Sequence, residues 1–187
     1  HQTTCYLTLQ VIITTRKRAR TLLSIHLTFN GLIQIHDQFR MTKVSILMNC
    51  YNGERYLRES IDSVMDQTFG DWEIIFWDNQ SKDGSAEIVR SYCDKRIKYY
   101  YAPSHTTLYG GRNAALKYCS GKYLAFLDCD DLWVDDKLQK QVSVLENNEN
   151  VVLVYSNTIF FNSDLNKEKI LNRKPQLSGY IFRENML

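Results

Sequence analysis

The sequence predicts an α/β fold in which a mostly parallel β-sheet lies between two layers of helices. Short apolar runs alternate along the chain with stretches whose apolar residues recur every three or four positions, a pattern typical of strands that alternate with amphipathic helices. Each of the first four apolar runs is followed by a polar or Pro-containing turn. With 187 residues, 44% of them hydrophobic, the chain can bury the core of a single domain.

Five strands are predicted, each from a short apolar run bounded by turn residues. They cover Val44–Met48, Glu73–Trp77, Ile97–Tyr101, Tyr123–Leu127 and Val151–Tyr155. Four helices are predicted between and after them, over Glu54–Gln67, Ser85–Cys93, Gly110–Cys119 and Asp135–Asn147. Beyond Phe161 the pattern weakens, so we expect the fold to be incomplete at the C-terminus.

The first 40 residues differ from the rest, because they are rich in Thr, contain one acidic residue and show no sustained period. They match neither a secretory signal nor a membrane-spanning helix. We interpret residues 1–40 as a leader outside the domain, either upstream translated sequence or disordered, and residues 41–187 as the domain. A basic targeting arm is the alternative.

Charge and cysteine content exclude several classes of protein. From Met41 onward there are 18 basic and 20 acidic residues, a balance that does not favour nucleic-acid binding. The five cysteines are odd in number and show no C-x-x-C spacing, so the sequence indicates neither a disulfide framework nor a zinc site. A reducing compartment fits this pattern.

The strand Tyr123–Leu127 is followed by three carboxylates, Asp128, Asp130 and Asp131. Clustered carboxylates repel one another, so a cation or hydrogen-bond donors must keep them ionised together. A D-x-D pair in this position suits a divalent ion that also binds the phosphates of a nucleotide. The alternative is a solvated turn at the end of a strand.

Polar residues also follow two other predicted strands, at Asn49–Glu54 and at Asp78–Asp83. Because the carboxyl ends of parallel strands meet at one edge of a sheet, we expect both segments to lie beside Asp128–Asp131. The sequence therefore predicts a nucleotide site along this edge.

Taken together, these segments resemble the nucleotide-sugar-binding half of family-2 glycosyltransferases, which have the GT-A (Rossmann-like nucleotide-diphospho-sugar transferase) fold. The resemblance runs from about Lys43 to about Tyr155. It rests on the segments Val44–Gly53, Ser63–Thr68, Glu73–Asp78 with Ser81 and Asp83, Gly111–Asn113 and Gly121–Asp131. Each motif alone is weak, but all occur in the order of the family.

The resemblance implies where the nucleotide of the donor is held. Asn49, Tyr51 and Glu54 belong to the turn beside the base and ribose, where an aromatic ring can cover the base. Without the resemblance, Tyr51 is a tyrosine at the edge of the core. Asp78 and Asn79 stand where the family usually has two adjacent acids that read the base edge, and an amide can also pair with uracil.

Three further donor-binding residues follow from the resemblance. Ser81 and Asp83 match an S-x-D turn, for which helix capping is the alternative role. Arg112 matches the Arg of an A-R-N motif in which Gly111 replaces the usual Ala, and its guanidinium can reach either a phosphate or the carboxylate cluster. A surface salt bridge is the alternative for Arg112.

The resemblance also implies the metal and the reaction. Asp130 would bind Mg²⁺ or Mn²⁺, while Asp128 would contact the ribose or the water shell of the ion. A sugar would pass with inversion from a nucleoside diphosphate, most simply UDP, to a hydroxyl of a glycan or lipid-linked acceptor in polysaccharide or glycolipid synthesis. The catalytic base is expected beyond Leu187, so it is unassigned here.

Two other functions remain open at this stage. One is a non-catalytic nucleotide-sugar-binding fragment of a truncated enzyme. The other is a nucleotidyltransferase, although Asn49–Gly53 lacks the Gly-rich phosphate loop expected of that class. The resemblance implies a cytoplasmic location, with association at the inner face of the membrane as a further expectation. The sequence does not indicate an oligomeric state.

Overall fold

The computed structural model describes residues 42–156 with their side chains and, as backbone only, five short strands outside that range. The elements, in chain order, are β1 (Val11–Thr14), β2 (His26–Leu27), β3 (Ile33–Gln34), β4 (Val44–Cys50), α1 (Glu54–Met65), β5 (Trp72–Asp78), α2 (Ser85–Arg90), β6 (Ile97–Tyr101), α3 (Leu108–Ala115) with a 3₁₀ turn (Leu116–Tyr118), β7 (Tyr123–Phe126), α4 (Lys137–Asn147), β8 (Leu153–Tyr155), β9 (Ile159–Asn162) and β10 (Lys167–Ile170).

The chain divides into two compact units, residues 11–154 and residues 1–10 with 155–187. The first contains the central sheet, and the second contains β9 and β10, which pair antiparallel. β2 and β3 form a separate two-residue pairing. Within the described residues, no helix combines the length and the apolar composition needed to cross a bilayer.

The central sheet has the strand order β6-β5-β4-β7-β1-β8. Four consecutive strands, from β6 to β7, run parallel, and β1 is antiparallel to β7. This confirms the mostly parallel sheet that the sequence predicts. The carboxyl ends of β4, β5, β6 and β7 therefore meet at one edge, where the polar segments follow them.

Helices cover both faces of the sheet, so the three-layer arrangement is also confirmed. Every residue of β4 and β5 is buried, as expected of strands packed on both sides. Ile46 belongs to a core cluster that includes residues of α1 and α4. Its neighbour Leu47 belongs to the opposite cluster, which includes Ala115 of α3.

β4 and β5 reach closer to the site than the sequence indicates, whereas β7 ends at Phe126, one residue before its predicted end. β4 continues to Cys50 and β5 to Asp78, two residues and one residue beyond the predicted ends, because both strands hydrogen-bond in register over their whole length. α3 begins at Leu108 rather than Gly110, since the Oγ1 of Thr107 accepts the N–H of Gly110 at 3.2 Å and caps the helix. α4 begins at Lys137 and β8 at Leu153, each two residues later than predicted.

The predicted leader contributes one strand to the sheet. β1 pairs with β7 in the register Ile12↔Ala125, Ile13↔Leu124 and Thr14↔Tyr123. The boundary between leader and domain stays a prediction, and most of residues 1–40 lie outside the described part of the chain. The segment beyond Phe161, where the sequence pattern weakens, also lies largely outside it, apart from the end of β9 and β10.

Candidate functional site

A cavity of about 390 Å³ opens at the edge where the parallel strands end. Its walls come from the ends of β4, β5 and β7 and from the segment that leads into α3. The lining residues are Asn49, Tyr51, Asn79, His105, Thr106, Thr107, Leu108, Asp128, Cys129 and Asp130. Five predicted site residues are therefore brought together: Asn49, Tyr51, Asn79, Asp128 and Asp130.

Two rings form an aromatic wall of the cavity. Tyr51 is 48% exposed, and its ring centroid lies 4.4 Å from that of His105, with the planes tilted by 58°. Nδ1 of His105 lies 2.8 Å from the carbonyl oxygen of Asn79. Because a carbonyl can only accept, Nδ1 carries the hydrogen, and Nε2 of the neutral ring is an acceptor. The wall thus offers a ring face and a hydrogen-bonding edge.

The side-chain amide of Asn79 hydrogen-bonds to the loop that carries His105. Its Nδ2 donates to the carbonyl of Thr106 at 2.7 Å, and its Oδ1 accepts the Thr106 N–H at 3.0 Å. The residue is 2% exposed. In this structure the amide therefore positions the loop rather than presenting its edge to a base, and the base-reading role of Asn79 stays a prediction.

Asn49 lies at the end of β4 with its side chain turned into a tight space. It is 8% exposed, and no group in the described part of the chain hydrogen-bonds to its buried Oδ1. A Cβ at Gly111 would overlap this oxygen. The Gly that replaces the usual Ala of the A-R-N motif thus makes room for Asn49.

The carboxylate of Asp78 is directed into the protein rather than into the cavity. It is fully buried, its Oδ1 accepts the Ser81 N–H at 2.7 Å, and its Oδ2 accepts the hydroxyl of Tyr99 at 2.6 Å. Burial and this carboxylate raise the pKa of Tyr99 well above its ordinary value. Asp78 therefore fixes the turn after β5, and it does not line the cavity.

Glu54, Ser81 and Asp83 join the turn after β4 to the turn after β5. The Asn52 N–H donates to the Ser81 hydroxyl oxygen at 3.0 Å, and the Glu54 N–H donates to Asp83 Oδ2 at 3.0 Å. Glu54 Oε2 accepts the Gly84 N–H at 2.6 Å. Burial opposes the charge on Asp83, but the hydrogen bonds from Ser85 and Glu54 lower its pKa below the ordinary value. These contacts hold the two turns together, and the N-cap residue of α2 is Gly84, which has no side-chain capping hydrogen bond. None of the three residues lines the cavity.

Arg112 of α3 forms an ion pair with Asp128 Oδ1. Its guanidinium carbon also lies 5.4 Å from the ring centroid of Phe126. The two charged side chains are 17% and 18% exposed, so solvent screens the pair less than a surface salt bridge. Of the two targets expected from the sequence, Arg112 contacts the carboxylate cluster.

Within the described part of the chain, the carboxylate of Asp130 has no ion pair like the one between Arg112 and Asp128. Among the described residues, no basic side chain pairs with it. Desolvation first, and then the charges of Asp131 and Asp128, raise the pKa of its carboxyl group. The turn thus holds negative charge that a cation would stabilise.

Residues Asp128 and Asp130 fit a cation that takes few ligands from protein. Within the described residues, no group of three or more His, Cys, Asp or Glu side chains is placed to hold a metal. Mg²⁺ commonly takes one or two carboxylates and completes its coordination with water and substrate phosphates. The Ser60 hydroxyl, which donates to the Asp128 carbonyl at 3.1 Å, holds the turn in place.

Sequence reasoning missed the segment from His105 to Leu108 as part of the site. Its signal was present: Pro103 stops β6, and polar residues follow at the same edge of the sheet as the other three turns. Cys129, which lies between the two carboxylates of the D-x-D pair, also lines the cavity.

Comparison with known proteins gives a consistent picture. Residues 45–186 match the model of Glycosyl transferase family 2. The chain is 40% identical over 121 residues to UDP-Glc:alpha-D-GlcNAc-diphosphoundecaprenol beta-1,3-glucosyltransferase WfgD of Escherichia coli, which covers 65% of this chain and 47% of that protein. It is 38% identical over 120 residues to WfaP of the same organism, a protein of the same description, covering 63% and 46%. The chain thus spans about half the length of these relatives.

Solved structures share the fold. The S. aureus protein TarS (residues 1–349) in complex with UDP-GlcNAc superposes with a TM-score of 0.54 and 26% identity, covering 57% of this chain and 32% of that one. This confirms the GT-A fold expected from the sequence. With the family model matched over residues 45–186, the chain belongs to glycosyl transferase family 2.

Proposed function

We propose that this chain carries the donor-binding part of a glycosyltransferase that moves a sugar, with inversion, from a UDP-sugar to a hydroxyl of a polysaccharide or glycolipid acceptor. One observation carries the proposal: the carboxylates of Asp128 and Asp130 and the aromatic pair of Tyr51 and His105 line the same cavity. A nucleoside diphosphate has the matching chemistry, since it joins a planar base to an anionic pyrophosphate.

The aromatic wall supports binding of the base. The exposed ring of Tyr51 can cover a base, and His105 Nε2 can accept a hydrogen bond from the base edge. Uracil is favoured because relatives of this chain are named for UDP-Glc or solved with UDP-GlcNAc.

The carboxylate turn supports binding of the diphosphate through a divalent ion. Asp130 and Asp128 are the residues that would hold Mg²⁺ or Mn²⁺, and a bound ion would supply positive charge against the leaving diphosphate. Arg112 adds a fixed cation at the same turn and holds Asp128 in place. Positive charge set in advance where negative charge develops lowers the barrier to transfer.

The reaction also needs an acceptor hydroxyl and a general base that removes its proton. Deprotonation of the attacking hydroxyl needs a general base, and we expect this group outside the 187 residues of this chain. WfgD is named for a diphosphoundecaprenol-linked acceptor. A lipid-linked or glycan acceptor, met at the cytoplasmic face of a membrane, is the corresponding proposal for this protein.

Calorimetric titration with UDP, in the presence and absence of Mn²⁺, tests the donor site. We expect Mn²⁺ to strengthen UDP binding to the wild type and to have little effect on Asp130→Ala. The matched control is Asp135→Ala, which removes an exposed carboxylate outside the cavity and should behave as the wild type. Equal UDP affinity for wild type and Asp130→Ala, with and without Mn²⁺, would overturn the proposed site.

Transfer is measured separately, with a radiolabelled UDP-sugar and lipid-linked acceptors. Mn²⁺-dependent binding of UDP together with product formation supports the full proposal. Binding without transfer by the complete protein would instead support the alternative of a non-catalytic nucleotide-sugar-binding module.

A further inference from the structure

We propose that Cys50 and Cys129 form a reversible disulfide that controls access of the donor to its site. All four cysteines in the described part of the chain are free thiols in this structure. Two of them lie at adjacent strand ends, and Cys129 is the residue between the two carboxylates of the D-x-D pair. The effect on the donor rests on the proposed function, whereas formation of the disulfide does not.

The register of the sheet brings the two residues side by side. β4 and β7 pair in parallel up to Leu47 and Phe126. Cys50 and Cys129 each lie three residues beyond that last pair.

The side chains complete the contact. A Cβ placed on Gly53 would lie 2.7 Å from Sγ of Cys50 and 2.9 Å from Sγ of Cys129, so both sulfur atoms border the same small space. The Cys50 thiol also lies 3.7 Å from the hydroxyl oxygen of Ser85. Both side chains reach this space, and forming a disulfide would draw the two sulfur atoms together within it.

Access to the pair comes from the cavity. Cys50 is completely buried, whereas Cys129 lines the cavity wall. A small peroxide can therefore reach Cys129 first. The Cys129 sulfur attacks one peroxide oxygen and the O–O bond breaks, giving a sulfenic acid and one water.

The buried partner then resolves the sulfenic acid. The Cys50 sulfur attacks Sγ of Cys129, the S–O bond breaks and a second water leaves with the thiol proton. The balance is two thiols and one hydrogen peroxide giving one disulfide and two waters. An external dithiol reverses the reaction by thiol–disulfide exchange.

Closing the bond changes the site because the bonded sulfur atoms are only about 2.05 Å apart. Cys129 must move toward Cys50, and the flanking carboxylates of Asp128 and Asp130 move with it. Since Asp128 is paired with Arg112, the shift also disturbs the fixed cation of the site. We infer that the oxidised protein binds the donor nucleotide more weakly than the reduced protein.

Peptide mapping tests the disulfide directly. Complete trypsin cleavage places Cys50 in residues 44–55 and Cys129 in residues 123–137, and it places Cys93 and Cys119 in two other peptides. After hydrogen peroxide treatment, we expect a cross-linked 44–55/123–137 product that disappears on reduction. Neither Cys50→Ser nor Cys129→Ser should give this product. Oxidation of Cys93 and Cys119 without this cross-link would overturn the inference.

UDP titration of the reduced, oxidised and re-reduced protein tests whether the disulfide weakens donor binding. We expect the affinity for UDP to fall about tenfold or more on oxidation, equivalent to about 1.4 kcal/mol, and to return on reduction. Cys50→Ser, which changes a completely buried residue outside the cavity wall, should show the same UDP affinity before and after peroxide treatment. If the cross-link forms and UDP affinity is unchanged, the inference that the disulfide weakens donor binding is wrong. If the reduced protein does not bind UDP at all, the proposed function fails while the cross-link remains measurable.

Discussion

Gly111 of α3 lies so close to Asn49 of β4 that a Cβ atom at position 111 would overlap the side-chain Oδ1. That oxygen is buried and has no hydrogen-bond partner among the described residues. The two positions are therefore complementary in size, and their contact ties the start of the helix that carries Arg112 to the end of the first parallel strand.

We expect Gly111→Ala to weaken UDP binding, because the added methyl group must displace Asn49 from the cavity wall. The free energy of unfolding should fall by up to about 2 kcal/mol, since an overpacking cost of about 1–3 kcal/mol is partly offset by a gain of about 1 kcal/mol in helix propensity. Calorimetry and urea unfolding measure the two effects.

The double variant Asn49→Ala/Gly111→Ala is the control for this prediction. Removing the Asn49 side chain makes room for the new methyl group, so the two substitutions should be strongly non-additive in the free energy of unfolding. Additive effects would show that the methyl group is accommodated elsewhere.

The clamp between Asn79 and Thr106 leads to a second prediction. In Asn79→Asp, a carboxylate oxygen would replace the Nδ2 donor and face the carbonyl of Thr106. We expect faster hydrogen exchange at the backbone amides of residues 105–107 and a loss of about 1–3 kcal/mol in the free energy of unfolding. UDP affinity should fall with it, because this loop forms part of the cavity wall.

Asn113→Asp is the matched control, since it makes the same chemical change on the exposed side of α3. A different result for Asn79→Asp, with unchanged hydrogen exchange and tighter UDP binding, would contradict the positioning role. It would indicate instead that residue 79 reads the base edge directly.

The strands, the helices and the common edge of the sheet could be predicted from the sequence because they depend on local periodicity and on the geometry of parallel strands. Asp78 shows where this reasoning stops. Its position at the end of β5 was predictable. The sequence does not reveal that the hydroxyl of Tyr99, on the neighbouring strand β6, donates a hydrogen bond to the Asp78 carboxylate and keeps it out of the cavity. Such pairings depend on rotamers and on contacts between distant segments.

His105 is the opposite case, because it lines the cavity although the sequence did not predict it as a site residue. The loop after β6 carries no motif, and its contribution to the cavity depends on the amide of Asn79 holding Thr106. The contact between Cys50 and Cys129 likewise requires the register of β4 against β7. Spacing in the sequence gives no indication of it.

Lys137 at the start of α4 leads to a prediction about pH. It is 5% exposed, its ammonium donates to Gln141 Oε1 at 2.8 Å, and burial lowers its pKa from 10.5 to about 8. One pKa unit corresponds to about 1.4 kcal/mol, so burial of the charge costs about 3 kcal/mol at neutral pH. We therefore expect Lys137→Met to increase the free energy of unfolding at pH 7 by about 1–3 kcal/mol.

The pH profile of unfolding distinguishes this charge penalty from improved packing. Between pH 8 and 10.5 the unfolded state keeps the Lys137 proton while the folded state loses it, so wild-type stability should rise with pH in that range. Lys137→Met should lack this rise. Lys140→Met, which changes an exposed lysine paired with Asp136, should keep it. If the stability of all three proteins rose equally between pH 8 and 10.5, the rise could not be due to Lys137.

Deletion of residues 1–40 tests the boundary of the domain. Both hydrophobic core clusters of the described residues are built from positions 44–154, so we expect the shortened protein to unfold cooperatively and to bind UDP as the full chain does. Removal of β1 ends three residue pairings with β7 and also the pairing of β1 with β8. Each lost backbone hydrogen bond contributes about 0.5–1.5 kcal/mol net, so we expect a lower free energy of unfolding. Deletion of residues 1–10 alone, which keeps β1, is the matched comparison. If only the longer deletion abolishes folding or UDP binding, β1 is part of the domain and residues 1–40 are not a leader.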